Sequence, residues 1–553
     1  MRWDGLTSPT VLIGWAVFLY LLFWGLRYLL GVRMFLTCAH RDVRATGLTR
    51  QQLEPGQLEL LTVLDDSLVA AGFRHLGFAQ ISPVLTHYDK ALPCSVFVND
   101  VVPAYAFVRP RLLPAYEALV ELQIQTTLKS GITVATFNTP VSVAYIPPDM
   151  RVGVVQGGTI PALVEMHQYR LASGGAGSEP IRHTGLEDAI DRLLASLESL
   201  RAVFRERGWT APTSDSSLDR YTLRGAIALT HNSWRAIGAR RKGASSTRQP
   251  PTEKDRRLLI EADMLSLLAV AEHPERAPGT PWPLIAVVGA TALLSWVALG
   301  WLWNFYLATL VLAVVAFHEG GHALAMRLFG YRDVHVFFVP LLGAMTVGRS
   351  VTASVRDRLA VLLAGPIPGL WLGLLLAVID QAWYPSHGLR TAARVLLFLN
   401  GLNLLPFTPL DGGRALEQLT RPDSVWRLLV HVASALGLLT LAAVTHDMLF
   451  TALGVLWLGL SYPQWHAWRL RRVIAARAQG QTDFRTVARI TLEAITTTPY
   501  YERVRAVTRH LQARTVARLF SDSVATPADR AWGAIAYLSA WIPVAAWLLL
   551  RAD

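Results

Sequence analysis

The sequence contains little charge and very little cysteine. Only 17% of its 553 residues are charged, whereas 52% are hydrophobic, and the mean hydropathy is +0.33. Soluble domains carry about 25% charged residues, so these values argue against a purely soluble protein. The two cysteines, Cys38 and Cys94, are too few for a disulfide framework or a zinc ribbon, and we interpret them as reduced thiols.

Lysine is also scarce, although the formal net charge is +12. Nearly all of the positive charge is arginine, because the only lysines are Lys90, Lys129, Lys242 and Lys254. In an apolar chain this balance indicates basic segments beside a lipid bilayer before it indicates nucleic-acid binding. We therefore expect a membrane protein with no nucleic-acid partner.

Apolar stretches occur along much of the chain, and a transmembrane helix needs about 20 such residues. Residues 280–317 contain no charged residue or histidine, which is long enough for a hairpin of two spans with its turn near 300–304. The sequence predicts eight spans in all, formed by this hairpin and by residues 11–32, 359–379, 395–410, 428–445, 448–465 and 531–550.

Arginine in the connecting segments predicts the orientation, because basic loops favour the cytoplasm. Threading eight spans with the N-terminus outside places every arginine-rich loop on the cytoplasmic side. The alternative is a signal peptide at 11–32. A signal peptide has its basic region before the apolar run and a cleavage site after it, whereas here the basic flank follows the apolar run and no Ala-x-Ala-like site is present.

The predicted fold class is a polytopic α-helical membrane protein with about eight spans and a cytoplasmic α+β domain inserted between the first and second spans. That α+β domain starts with a helical pattern at 58–71. Apolar runs rich in Val, Ile, Thr, Phe and Tyr follow and predict a mostly antiparallel sheet, at 75–81, 94–99, 105–109, 119–127 and 132–137. Residues 240–252 predict an exposed linker. The predicted domains are a transmembrane anchor at 1–32, the α+β domain at 33–280, a membrane core at 281–466, a cytoplasmic helical segment at 467–530 and a C-terminal transmembrane helix at 531–553.

One apolar segment contains ionisable residues in the pattern His318-Glu319-Gly320-Gly321-His322. On a helix the two histidines share one face and can reach a single zinc ion, while Glu319 can take a proton from a zinc-bound water. Ionisable residues inside a span are costly unless they coordinate something or line a wet cavity. The pattern predicts a metalloprotease-type zinc site. The alternative is a pair of histidines at the membrane interface beside a paired glutamate.

A zinc ion held by two histidines needs at least one more protein ligand. Asp411 is the best candidate, because it ends an apolar run that reaches the same side of the membrane. Pro406 and Pro409 should break that helix, which is tolerated only where the freed backbone lines a cavity. Asn403 could hold a peptide carbonyl or a developing oxyanion, and could equally form a hydrogen bond between helices.

At these motifs the chain resembles the site-2 protease family of intramembrane zinc metalloproteases. That family has His-Glu-x-x-His on one span and Asn-x-x-Pro-x-x-Pro-Leu-Asp-Gly on a later one, and residues 403–412 match the second motif. The resemblance implies a membrane-spanning helix as substrate and zinc as cofactor. It also implies Glu319 as general base and, as metal ligands, His318, His322 and Asp411.

Two features between the motifs also bear on the resemblance. The family's Ala-Gly-Pro-x-x-Asn stretch appears at 364–369 with Gly369 in place of the asparagine, so the role of that asparagine is not carried over. Residues 333–347 predict a short hairpin similar to the family's membrane-associated β segment. Its edge could pair with an unwound substrate by strand addition, or the segment could be a buried connector.

The predicted function is hydrolysis of a peptide bond in or near a transmembrane segment of a membrane protein, that is, regulated intramembrane proteolysis. The alternative is a non-proteolytic membrane receptor or scaffold that keeps the protease fold, and an intact Glu319 argues against it. The expected partners are the transmembrane substrate, the lipid bilayer and a cytoplasmic regulatory partner of residues 33–280. The resemblance and the arginine-rich flanks indicate a multi-pass protein of a bacterial cytoplasmic (inner) membrane.

Overall fold

The structure is a computed structural model, and it groups the chain into two compact units. The first comprises Met1–Leu284 and Ile495–Arg514, and the second comprises Ile285–Ala494 and Thr515–Asp553. The residues that the structure describes are 24–25, 27–29, 31–110, 119–139, 146–147, 149–156, 158–173, 179–242, 252–270, 282–302, 304–339, 343–349, 353–406, 410–445, 448–502, 504, 506–521 and 525–550.

The described strands of the first unit are β1 (Ala39–Arg41), β2 (Ala45–Leu48), β3 (Arg74–Ile81), β4 (Leu92–Asn99), β5 (Ala104–Pro110), β6 (Val120–Thr127), β7 (Thr133–Phe137), β8 (Met150–Val154), β9 (Thr210–Pro212) and β10 (Leu218–Tyr221). Strands β2 to β8 form a seven-stranded sheet in chain order. Its neighbouring strands pair antiparallel, except β7 and β8, which are parallel. A smaller antiparallel sheet has the order β1-β10-β9.

The described helices of this unit begin with α1, which includes residues 31–37. They continue with α2 (Pro55–Leu61), α3 (Asp65–Ala70), α4 (Ile160–Ser173), α5 (Leu186–Glu206), α6 (Leu223–Lys242) and α7 (Glu253–Ala269). Helix α7 begins at a capping box, because the hydroxyl of Thr252 accepts a hydrogen bond from the backbone N–H of Asp255 and the Asp255 carboxylate accepts one from the backbone N–H of Thr252.

Helices cover both faces of the seven-stranded sheet, because both faces are hydrophobic. Phe97 and Ile124 enter a core shared with α2, α3, α4 and α7, whereas Val96 and Phe107 enter a second core with α5. Successive residues of one strand, such as Val96 and Phe97, therefore belong to different cores. Strands buried on both faces read as continuous apolar runs, which is why their side-chain alternation is weak in the sequence.

The predicted strands are confirmed, because the runs at 75–81, 94–99, 105–109, 119–127 and 132–137 match β3 to β7 to within two residues. The helical pattern predicted over 58–71 is present as two helices, α2 and α3, with a turn between them. The chain turns after α2, where the backbone N–H of Asp65 donates to the carbonyl of Thr62 at 3.1 Å. Asp65 and Asp66 then begin α3, where acidic residues are favourable. The linker predicted at 240–252 lies largely outside the described residues.

The second unit is mostly helical. Its described elements are α8 (Trp282–Leu302), α9 (Phe305–Leu328), β11 (Arg332–Val339), β12 (Gly343–Arg349), α10 (Val355–Ala364), α11 (Pro366–Ala382), α12 (His387–Leu404), α13 (Asp411–Leu419), α14 (Trp426–Thr445), α15 (Met448–Ala478), α19 (Pro527–Ser539) and α20 (Ile542–Leu549). Between α15 and α19, helices α16 (Phe484–Thr496) and α18 (Ala506–Ser521) each cross a boundary between the two units, and α17 (Pro499–Glu502) belongs to the first unit.

Two predicted turns are present in this unit. Helix α9 starts after Asn304, whose side chain accepts a hydrogen bond from the backbone N–H of Leu307 at 2.8 Å, so α8 and α9 meet where the hairpin turn is predicted. The β hairpin predicted at 333–347 is confirmed as the antiparallel pair β11 and β12, although residues 340–342 lie outside the described part.

Four helical stretches of the described residues are long and apolar enough to cross a membrane: Phe305–Leu328, Val355–Ala382, Trp426–Val444 and Pro527–Leu549. A shorter apolar helix covers Val288–Trp301. The count of eight spans stays a prediction, and most of the first predicted span, 11–32, lies outside the described residues. Residues 395–404 are helical as predicted, but α12 begins at His387 and so also contains Arg390 and Arg394.

His167 of α4 is buried against the seven-stranded sheet. The hydroxyl of Thr126 donates its hydrogen to the Pro103 carbonyl, so it accepts a hydrogen bond from Nε2 of His167 at 2.9 Å. Nδ1 of His167 accepts a hydrogen bond from the hydroxyl of Thr136 at 3.0 Å. Burial lowers the pKa of His167 from 6.5 to about 4. The neutral ring therefore stabilises the fold above pH 6.5, and this contribution is lost as the pH falls towards 4.

We expect the melting temperature of the wild type to fall more steeply between pH 6.5 and pH 4.5 than that of His167→Gln, which cannot titrate. The measurement is thermal melting of the full-length protein in detergent across this pH range. Burial also lowers the pKa of His40 to about 4. His40 is present in both proteins, so it contributes equally to the fall in melting temperature of each. Parallel pH profiles would show that His167 does not contribute.

Candidate metal centre

Three buried side chains of the second unit converge on one point. His318 and His322 lie one turn apart on α9, and Asp411 is the first residue of α13. The Oδ2 atom of Asp411 lies 3.0 Å from Nε2 of His318 and 3.1 Å from Nε2 of His322, and the two Nε2 atoms are 3.1 Å apart. In the described part of the chain this is the cluster of His, Cys, Asp or Glu side chains that could hold a metal ion.

The opposite ring nitrogens fix which atoms of the histidines carry protons. Nδ1 of His322 faces the carbonyl of Val361 at 2.7 Å, and a carbonyl only accepts hydrogen bonds. Nδ1 of His318 lies 2.8 Å from Oδ1 of Asn400, whose amide nitrogen already donates to the Leu396 carbonyl at 2.8 Å. Both Nδ1 atoms must therefore donate, and in the neutral rings both Nε2 atoms present lone pairs to the cluster.

Three acceptors thus face one another with no hydrogen between them. Two imidazole lone pairs and a carboxylate oxygen repel one another at 3.0–3.1 Å unless a metal ion or a proton lies among them. Zinc bonds of about 2.0–2.1 Å in tetrahedral geometry place ligand atoms roughly 3.3 Å apart, close to the observed separations. The residues present fit a zinc ion that has three protein ligands and leaves a fourth position open.

Glu319 lies beside this cluster and is also buried. Its Oε2 accepts a hydrogen bond of 2.6 Å from the hydroxyl of Thr346 on β12. A buried carboxylate next to two imidazoles that could hold zinc is the arrangement in which a glutamate can accept a proton from an activated water.

Glycines allow the backbone to approach the cluster closely. A Cβ atom at Gly365 would lie 2.3 Å from Nε2 of His322, and one at Gly412 would lie 2.0 Å from the carbonyl oxygen of Leu404. The first glycine lets the α10–α11 junction press against an imidazole, and the second lets α13 start against the end of α12. Asp411 is held next to the histidines by this second contact.

Of the predicted site residues, His318, His322 and Asp411 are brought together and Glu319 is beside them, whereas Asn403 makes a different contact. The amide nitrogen of Asn403 donates to the Leu399 carbonyl on its own helix at 3.2 Å. Pro406 follows the end of α12 as predicted, and Pro409 lies outside the described residues.

Sequence reasoning missed Asn400 and Thr346, the two side chains that hold the histidine and the glutamate. Asn400 is fully buried, and a Cβ atom at Gly369 would lie 2.3 Å from its amide nitrogen. The available signal was a second asparagine in the same apolar run, three residues before Asn403. Thr346 gave no signal, because a threonine in a strand pattern is ordinary.

Comparison with known proteins gives three relatives of low identity. The chain is 33% identical to Stage IV sporulation protein FB of Bacillus subtilis over 109 residues, which cover 19% of this chain and 37% of that protein. It is 25% identical over 134 residues to Zinc metalloprotease MJ0392 of Methanocaldococcus jannaschii, covering 23% and 38% of the two chains. It is 27% identical over 180 residues to the Arabidopsis thaliana protein named "Probable zinc metalloprotease EGY2, chloroplastic", covering 25% and 32%.

These three relatives are members of the site-2 protease family, which confirms the resemblance seen in the motifs. The chain spans between 32% and 38% of the length of each of them. No family model and no solved structure matches the chain.

The two glycines between the histidines of α9 give a matched test of this packing. A Cβ atom at Gly321 would lie 2.1 Å from the Ala364 carbonyl oxygen, whereas one at Gly320 would meet nothing within 4 Å. We expect Gly321→Ala to force α9 away from α10 and destabilise the protein by about 1–3 kcal/mol or more. Gly320→Ala should be neutral or stabilise by up to about 1 kcal/mol, because alanine favours helix.

The measurement is the melting temperature of the two variants and the wild type in the same detergent. Gly320→Ala controls for the added methyl group and for the change in helix propensity. Equal melting temperatures would contradict the close approach of α9 to Ala364.

Proposed function

We propose that this chain, whose relatives are site-2 family members, is an intramembrane zinc metalloprotease that hydrolyses a peptide bond in or near a transmembrane segment of another membrane protein. The observation that carries the proposal is the convergence of three hydrogen-bond acceptors, from His318, His322 and Asp411, beside the buried carboxylate of Glu319. The three acceptors supply a cation site and Glu319 supplies a base, and metal-dependent hydrolysis needs both.

In this proposal His318, His322 and Asp411 hold the zinc ion, and Asn400 and the Val361 carbonyl keep both imidazoles in the ligating tautomer. A zinc ion bound there acts as a Lewis acid that lowers the pKa of a water molecule towards about 7. Glu319 accepts the proton of the attacking water and passes it to the leaving amine of the cleaved peptide.

Asn403 is proposed to stabilise the developing oxyanion. Its amide has two N–H donors, of which one is used by the Leu399 carbonyl, so a second remains to be directed at a substrate carbonyl. The substrate helix must unwind before cleavage, because an intact helix engages its scissile carbonyl in its own hydrogen bonds. We therefore expect helix-breaking residues near the cleaved bond.

The location of the cluster supports a membrane-embedded reaction. His318, Glu319 and His322 lie within Phe305–Leu328, one of the four stretches that could cross a membrane, and buried ionisable residues at that depth mark functional sites. We further propose a multi-pass protein of a bacterial cytoplasmic membrane that acts in regulated intramembrane proteolysis. In this proposal the α+β domain of the first unit binds a cytoplasmic regulatory partner.

A non-proteolytic receptor or scaffold is the competing function. In such a protein the three-acceptor cluster would bind a metal ion with a structural role only, and Glu319 would have no catalytic function. A carboxylate that is buried and hydrogen-bonded by Thr346 costs desolvation energy, and catalysis gives a reason for keeping it.

The proposed function predicts that metal binding and catalysis separate by mutation. Purified protein should contain about one zinc per chain, and His318→Ala and Asp411→Ala should each lose it. Glu319→Gln should keep the zinc but lower cleavage of a model transmembrane substrate by at least about 1,000-fold, because the base is gone. The measurements are metal content and cleavage rate in detergent or liposomes.

Glu417→Gln, the same substitution on α13 outside the cluster, is the control and should retain both zinc and activity. Zinc retained in Asp411→Ala would remove that residue from the ligand set. Zinc bound in the wild type with no cleavage of any transmembrane substrate would favour the scaffold instead.

The two asparagines of α12 are expected to differ in their effects. Asn400→Leu removes the acceptor for His318 and should weaken zinc binding by about 10- to 100-fold, as loss of such supporting hydrogen bonds does. Asn403→Leu should leave zinc affinity unchanged and lower kcat. Competition with a chelator measures zinc affinity directly, and equal zinc affinity in the two variants would contradict the assignment of Asn400.

A further inference from the structure

The β12 strand lies with one face against α9, the helix that carries Glu319. Alternation along the strand places Ala344, Thr346 and Gly348 on the same face. Thr346 contacts Glu319, and a Cβ atom at Gly348 would lie 2.8 Å from Sδ of Met326 on α9. Small side chains along this face therefore let the strand approach the helix closely.

Thr346 is the donor in its hydrogen bond with Glu319. The Thr346 hydroxyl lies 2.6 Å from Oε2 of Glu319 and 3.2 Å from its backbone carbonyl oxygen, and both are acceptors. The hydroxyl has one hydrogen, so it donates to the carboxylate, and a hydrogen bond to an ionised acceptor is about twice as strong as a neutral one. One carboxylate oxygen is thereby held, and the other is left to face a reactant.

We infer that Thr346 is a positioning residue for Glu319 and that the seating of the β11–β12 hairpin on α9 sets the orientation of the general base. This inference rests on the proposed function. The hairpin, and not α9 alone, then decides whether the carboxylate is aimed at the attacking water.

The pairing register of the hairpin determines which residue of β12 faces Glu319. Thr346 pairs with Val336 across the two strands. A slip of one residue would turn Thr346 to the opposite face and bring Met345 or Val347 to Glu319, because side chains alternate along a strand. Neither of these residues can donate a hydrogen bond to the carboxylate.

The test compares Thr346→Val, which keeps the shape of the side chain and removes the hydroxyl, with Thr346→Ser, which keeps the hydroxyl. Thr391→Val is the matched control, because that hydroxyl donates only to its own helix, at the His387 carbonyl. We expect Thr346→Val to lower kcat by about 10- to 100-fold with little change in KM or zinc content, since a misplaced catalytic group costs this much. Thr346→Ser should recover most of the rate.

A second readout does not depend on activity. Melting temperatures are measured for Thr346→Val, Glu319→Ala and the double variant, each without zinc. If the hydrogen bond exists, the shift in the double variant is smaller than the sum of the two single shifts, because the second substitution removes a partner that is already lost.

Additive shifts in these melts would overturn the inference, and so would a Thr346→Val variant with wild-type kcat. Loss of zinc in Thr346→Val would also overturn it, because the residue would then support the metal site and not the base. Non-additive shifts in a protein that cleaves no substrate would support the Thr346–Glu319 contact and reject the proposed protease function instead.

Discussion

The arrangement of the second unit depends on one constraint, the convergence of three hydrogen-bond acceptors in a buried place. Two imidazole nitrogens and a carboxylate oxygen at 3.0–3.1 Å would repel one another in the absence of a cation. The outer nitrogens are satisfied by Asn400 and the Val361 carbonyl, so the rings cannot rotate to relieve the repulsion without leaving those partners unpaired. The cluster therefore presents lone pairs and a carboxylate to the metal ion that the proposed function requires.

Close helix packing follows from this constraint. Residues from α9, α10, α12 and α13 must bring small polar atoms to one point, which is possible only where backbones approach without intervening side chains. Gly321, Gly365 and Gly412 mark three such approaches, each with a Cβ position within about 2.3 Å of a neighbouring atom. These three glycines are thus explained by space around the site, and not by backbone flexibility. A single methyl group at any of them would move a helix that carries a cluster residue or its partner.

The part of the site that could be predicted from the sequence is the part with local periodicity. His318 and His322 are four residues apart on one helix, so their shared face follows from helix geometry alone. Asp411 could be placed near them only through the direction of the spans and the family motif. Asn400 and Thr346 are contributed by other elements, and their roles depend on how α12 and the hairpin pack against α9. In the first unit the strands were predictable from composition, whereas the break between α2 and α3 came from a turn at Thr62 that apolar periodicity does not register.

Gly369 and Asn400 show how a glycine on one helix leaves room for a buried polar side chain on its neighbour. The site-2 family usually has an asparagine at the position of Gly369, and here a Cβ atom at that position would lie 2.3 Å from the Asn400 amide nitrogen. A side chain at position 369 would force Asn400 to move aside, so glycine on α11 leaves room for the amide in its present position. Asn400 fills the space, and its Oδ1 accepts a hydrogen bond from Nδ1 of His318 at 2.8 Å. Glycine on α11 is therefore matched by a buried amide on α12, and that amide fixes the tautomer of His318.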